Sequence, residues 1–195
     1  VINTLIAAAQ NSKRVTVFVE LKARFDEENN LATAELMQKA GIHIIYSIPG
    51  LKVHAKVALV LRYHKDGRPK KSFAYISTGN FNEKTATVYS DSALFTSNPE
   101  IVDDLHQLFR VLGRELETPS FKHLLVPRFN LVPQLLGLLE YEKQEALAGR
   151  SAHVVLKMNA LQDKAMIDEL YRASEAGVQI DLIVRGICCL IPNQP

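Results

Sequence analysis

His54-Ala55-Lys56 opens a dense apolar run, VHAKVALVLRYH at 53–64. In an extended chain, residues two apart share a face. His54 and Lys56 therefore point together, while Val53, Ala55, Val57, Leu59 and Leu61 make an apolar opposite face. An imidazole with an ordinary pKa of ~6.5 is largely neutral near pH 7 and can act as a nucleophile. An ammonium on the same face can hold an anion beside it. The same spacing also suits a solvated edge strand. A second string, Ser77-Thr78-Gly79-Asn80-Phe81-Asn82, ends the next strand-like run, 71–78. Hydroxyls, amides and a glycine at a strand end allow a close backbone approach to an anion. An ordinary Gly-Asn turn is the plainer alternative.

The elements that must position these residues follow from the hydrophobic pattern. Residues 15–21 and 42–47 are dense apolar runs and read as buried strands. Between them, Leu31, Ala34, Met37 and Ala40 recur at helical spacing, with Asn30 as the cap and Gly41 at the end. The right-handed crossover rule makes this a parallel strand–helix–strand unit. The same grammar returns at 153–159, 163–177 and 178–186, and the joints AGIHII at 40–45 and AGVQID at 176–181 match in kind. Asp66-Gly67 between 53–64 and 71–78 predicts a hairpin. A further strand is predicted at 90–96, and Asn98-Pro99 starts a helix with an apolar face through Leu112. Residues 118–130 hold two prolines and no period, which places a domain boundary near 123, with a helix over 131–148 beyond it.

With 195 residues, 47% hydrophobic and 23% charged, the chain is long enough for a real core and is neither disordered nor collagen-like. Lys and Arg exceed Asp and Glu by 23 to 21, so any recognition of phosphate must come from local placement. Cys188 and Cys189 are adjacent, which makes no disulfide framework and suits a reducing, cytoplasmic setting; they read as small core residues. No apolar run reaches the ~18 residues of a spanning helix. Val1 and Pro195 give the ends the look of an excised fragment.

The order H-x-K, strand, G-x-x-N resembles the phospholipase D superfamily signature, in which histidine attacks phosphorus. That signature carries an Asp five residues after the Lys, where this chain has Leu61, and its Lys-to-Gly gap is shorter. The longer strings LKVHAKVALV at 51–60, STGNFNEKTA at 77–86, LKMNAL at 156–161 and IDLIVRGICCL at 180–190 resemble the C-terminal half of bacterial polyphosphate kinases, across essentially the whole chain. The resemblance implies an α/β fold: a phospholipase D-like mixed sheet flanked by helices over 1–123, and the opening part of a second such domain over 124–195. It also implies reversible transfer of the terminal phosphate of ATP to polyphosphate through a phosphohistidine.

Carried over residue by residue, the resemblance makes His54 the phosphorylated residue and gives Lys56 and Asn82 the phosphate oxygens. Tyr89 and Arg185 match nucleotide-contacting positions. Arg24 matches an arginine associated with the magnesium–phosphate site. A guanidinium has no lone pair for Mg²⁺, so Arg24 is expected to clamp phosphate oxygens beside the ion. Glu20 and Asp26 are nearby oxygen donors to which no ligand role is given. His43, His64, His106, His123 and His153 lack matched partners and read as structural or surface residues. The family's second functional histidine lies beyond the RGICC segment, so this length of chain is expected to be inactive alone. The implied partners are ATP, ADP and polyphosphate, with Mg²⁺ and no nucleic acid. The implied assembly is a homo-oligomer, and some members associate with membrane. The competing readings are a phospholipase D-type phosphodiesterase, against which Leu61 argues, and a non-catalytic polyanion-binding module.

Overall fold

The computed structural model describes residues 1–20, 27–47 and 50–193. Its first element, α1 (Ile2–Gln10), leads into β1 (Thr16–Val19), α2 (Glu27–Lys39) and β2 (His43–Tyr46). β1 and β2 pair in parallel, Thr16 opposite His43 through Val19 opposite Tyr46. Ala34, Met37, Ile42 and Ile44 form the core between helix and strands, and Leu5, Ile6 and Ala9 of α1 pack against it. α2 begins at Glu27, ahead of the expected Asn30 cap. The Asn30 amide instead donates to the carbonyl of Glu20 at 3.3 Å. Gly41 closes the helix at φ +84°, a left-handed conformation that costs other residues energy.

An antiparallel sheet follows. β3 (Lys56–Tyr63) pairs with β4 (Pro69–Ser77) across the Asp66-Gly67 turn. The short α3 (Glu83–Ala86) then leads to β5 (Ala93–Thr96), which pairs with β4 on its other side. The predicted strand at 53–64 thus starts three residues late, and His54 lies ahead of the ladder. Leu61 falls where the β3–β4 register shifts, between Val60 and Arg62. α4 (Pro99–Leu112), capped by the Asn98 side chain, packs on β3 and β4 and buries Ala74 and Leu105. The opposite sheet face carries a stacked Phe73–Phe95 pair with ring centroids 5.8 Å apart.

The chain divides into two compact units, Val1–Leu124 and Leu125–Pro195. The first ends in an anchored segment. Asp104, buried in α4, accepts the backbone N–H groups of Lys122, His123 and Leu124 at 2.7–3.1 Å. Glu100 pairs with Lys122 and His123, which hold its carboxyl down at about 2.

The second unit holds α5 (Leu131–Leu147), β6 (His153–Met158), α6 (Lys164–Glu175) and β7 (Gln179–Val184). β6 and β7 are parallel, His153 opposite Gln179 through Met158 opposite Val184. Leu139, Leu161, Ile167 and Leu170 make the core. Asp163 caps α6, as its sequence position predicts, by accepting the Met166 N–H at 2.8 Å. Cys188 and Cys189 depart from expectation: both are exposed and free, not core residues. β7 ends at Val184, and the cysteines lie in a following segment that bridges to Leu161 beyond the packed strand. Among the described residues, no helix is long and apolar enough to cross a membrane.

Candidate phosphate site of the first unit

The register of the antiparallel sheet sets Lys56 directly opposite Ser77. That one pairing brings the start of the H-x-K strand against the start of the STGNFN loop, 21 residues further along the chain. Lys56 is only 9% exposed, and its ammonium donates to the carbonyl of His54 at 2.6 Å. A lysine confined in this way is not the side chain of a solvated edge strand. Burial draws its pKa down, against the opposing pull of the Asp91 carboxylate.

His54 is exposed. Its pKa is lowered, first by partial burial and then by the charges of Lys56 and Lys52. Each of these causes favours the neutral imidazole, the form whose ring nitrogen can act as a nucleophile. The segment in front of it is fixed from the other sheet: the Val53 N–H donates to the Glu20 carboxylate at 3.2 Å, just past the end of β1. Sequence spacing gave Glu20 no such role, because the contact joins residues 33 apart.

The loop after β4 is tied down residue by residue. The Gly79 N–H donates to Ser77 Oγ at 2.9 Å, and Thr78 Oγ donates to Asp91 at 3.0 Å. Gly79 was expected to admit an anion to the backbone. The carboxylate that comes close is Asp91: a Cβ on Gly79 would lie 2.6 Å from Asp91 Oδ2. Asp91 thus joins the loop to the surroundings of Lys56, and no motif marks it, since it sits in a plain stretch, Ser90-Asp91-Ser92. Asn82 caps α3, its side-chain oxygen accepting from Lys84 and Thr85 at 2.9 and 3.3 Å. The cap consumes the acceptor end of the amide; the NH₂ end is the part a phosphate oxygen requires. Tyr89 follows α3 and is 57% exposed.

His54, Lys56, Asn82 and Tyr89 all belong to the first unit, whereas Arg185 lies in the second, exposed at the end of β7. Arg24 and Asp26 lie outside the described residues. His123 and His153 are engaged in ion pairs with Glu100 and Asp181. Among the described residues, no group of three His, Cys, Asp or Glu side chains is placed to hold a metal ion. They therefore offer no protein-built cage for Mg²⁺.

An imidazole two residues from a confined ammonium, whose strand pairs with the start of a loop of amides and hydroxyls, is an arrangement suited to phosphoryl transfer. The family model of polyphosphate kinase C-terminal domain 1 matches residues 1–118, and that of C-terminal domain 2 matches residues 124–195. The chain belongs to the polyphosphate kinase family. It is 46% identical to polyphosphate kinases of Halalkalibacterium halodurans and Yersinia pestis, over 195 residues in each case, which is all of this chain and 27% and 28% of theirs. It thus spans about a quarter of the length of these curated relatives. The crystal structure of polyphosphate kinase from Porphyromonas gingivalis is similar with a TM-score of 0.88 and 56% identity, over 100% of this chain and 32% of that one.

Proposed function

We infer that this chain is the part of a polyphosphate kinase that carries its phosphorylated histidine, in a phospholipase D-like fold. The observation that supports this most is the register that sets Lys56 opposite Ser77, because it brings the two halves of the motif side by side. In this reading a ring nitrogen of His54 attacks the terminal phosphorus of ATP. The N–P bond forms as the P–O bond to ADP breaks. The end oxygen of a polyphosphate chain then attacks the same phosphorus, the N–P bond breaks, and the imidazole returns neutral. Both steps are reversible. Lys56 and the Asn82 amide offset the charge on the phosphate oxygens, and Tyr89 and Arg185 contact the nucleotide. Mg²⁺ would enter with the phosphates of ATP, which Arg24 clamps; it supplies further charge compensation there.

The setting is cytoplasmic, and the assembled enzyme is a homo-oligomer acting on ATP, ADP and polyphosphate. Residues 1–123 form the first catalytic domain and 124–195 the opening of the second, so the 195-residue chain alone is inactive. Leu61, in place of an acid, favours transfer over phosphodiester hydrolysis.

The test is labelling of the full-length protein with γ-labelled ATP and Mg²⁺. Acid-labile, base-stable phosphate should map to His54 and be absent from a His54→Ala variant. Label that persists in that variant would remove His54 from the mechanism.

A further inference from the structure

The second unit carries a cationic cluster that the phosphohistidine site does not use. Register places Lys157 opposite Ile183 on the parallel pair β6–β7. Two residues on, Asn159 and Arg185 follow on the same face. Backbone bonds carry the ladder past the strand ends: the Arg185 N–H donates to the Met158 carbonyl at 3.1 Å and the Gly186 N–H to the Asn159 carbonyl at 2.8 Å. Gly186 permits that approach, since a Cβ there would lie 2.9 Å from the Asn159 carbonyl oxygen. Lys157, Asn159 and Arg185 are all exposed. Among the described residues, neither Lys157 nor Arg185 makes an ion pair, although other charged side chains of this unit do.

Charge on this face is sorted by position. The acidic end belongs to Asp181, opposite Val155 and paired with His153 at 2.7 Å. Val155 and Ile183 form an apolar middle. Both cations and the amide lie at the carboxyl ends of the strands, where open parallel sheets bind their ligands.

We propose that Lys157, Asn159 and Arg185 form one oligophosphate-binding site, with Lys157 and Asn159 as binding residues alongside Arg185. Two cations and an amide at neighbouring strand ends match a chain of phosphates better than a base or ribose: each phosphate brings charge and acceptor oxygens, and Lys and Arg have only donors to give. The ligand is the phosphate chain, of the nucleotide or of the polymer. The proposal rests on reading Arg185 as a substrate contact, and it is tested apart from the chemistry at His54.

The probe is inorganic tripolyphosphate, titrated into the full-length protein at low salt. Lys157→Gln should weaken its binding roughly tenfold, the loss typical of one charge-assisted hydrogen bond. Lys157→Arg should restore most of it. Asn159→Ala should weaken binding by a smaller factor. Lys164→Gln, an exposed lysine of the same unit paired with Asp168, should bind like the native protein. An unchanged thermal midpoint in each variant separates binding from folding. Tripolyphosphate affinities of Lys157→Gln and Asn159→Ala within twofold of native would overturn the proposal, whether or not His54 is labelled. Losing the His54 label while Lys157→Gln still weakens tripolyphosphate would instead overturn the mechanism and leave this site standing.

Discussion

The two units share one frame and differ in what leaves it. In each, a helix precedes a strand, a second helix and a parallel strand: α1, β1, α2 and β2 in the first unit, α5, β6, α6 and β7 in the second. The joint between second helix and second strand repeats bond for bond. Gly41 and Gly177 take φ +84° and +98°. Their N–H groups donate to Gln38 and Ser174, and the next residues, Ile42 and Val178, donate to Met37 and Ala173. The residue after that reaches the neighbouring strand's entrance, His43 to Val15 and Gln179 to Ala152. Ile42 and Val178 are both buried. After β2, the first unit continues into an antiparallel sheet and the covering helix α4; after β7, the described residues of the second continue into a short bridged segment. The frame is thus repeated in the two units, and the histidine proposed to carry phosphate lies at the entrance of the antiparallel sheet of the first.

The largest effect should come from the antiparallel sheet. Lys56→Ala in the full-length enzyme should lower kcat ~100-fold, the loss expected for one transition-state charge contact of about 3 kcal/mol. Steady-state kinetics beside a melting curve would read it. Near-normal turnover would place the chemistry elsewhere. Next is α4, whose Asp104 holds the end of the first unit. Asp104→Ala leaves three backbone N–H groups without their acceptor. It should cost about 3 kcal/mol in chemical denaturation, with faster amide exchange at 122–124.

Gly41→Ala and Gly177→Ala test the equivalence of the frames. Each forces an L-residue into left-handed backbone at a cost of about 1–2 kcal/mol. The two losses should be alike, because a Cβ meets open space at Gly41 and only ordinary contact at Gly177. A neutral result at one joint alone would break the comparison. The smallest effect concerns acid. Glu100 titrates at about 2 in the fold against 4.5 when free, so its contribution is full above pH 4.5 and fades as pH falls towards 2. Glu100→Gln should flatten the stability profile in that window only, as read by denaturation at stepped pH.

Much of this was legible in the sequence because it depends on neighbours. Gly41, Gly177, the Asn98 and Asp163 caps and the Asp66-Gly67 turn each act within a few residues, and each stands where its residue type predicts. The shared face of His54 and Lys56 was expected from the period of a strand, but β3 starts at Lys56, with His54 exposed ahead of it and Lys56 buried. Contacts that span the chain were not legible. Glu20 holding Val53, Asp91 filling the space at Gly79, and Asp104 receiving a segment 18–20 residues away leave no periodic trace. The start of α2 at Glu27 was missed because Asn30 has the composition of a cap but bonds to Glu20 instead. The cysteines were misplaced because their residue type is usually buried, whereas here they lie in a segment beyond the pairing that ends at Val184.

The Asp104 anchor bears on which changes of length the chain tolerates. Its three donors are consecutive, at 122, 123 and 124, and converge on one carboxylate. An insertion between Lys122 and Leu124 would pull at least one donor out of reach. The stretch from Gly113 to Pro119 enters and leaves on fixed points, Phe109 on one side and the Gln107–Ser120 pair on the other. Extra residues there form only a longer loop, whose closure entropy grows slowly with length. Related chains should therefore vary in length before Ser120 and keep their count after it, so that the start of the second unit stays at a fixed distance in sequence from the anchored segment 122–124 while the loop before it absorbs the drift.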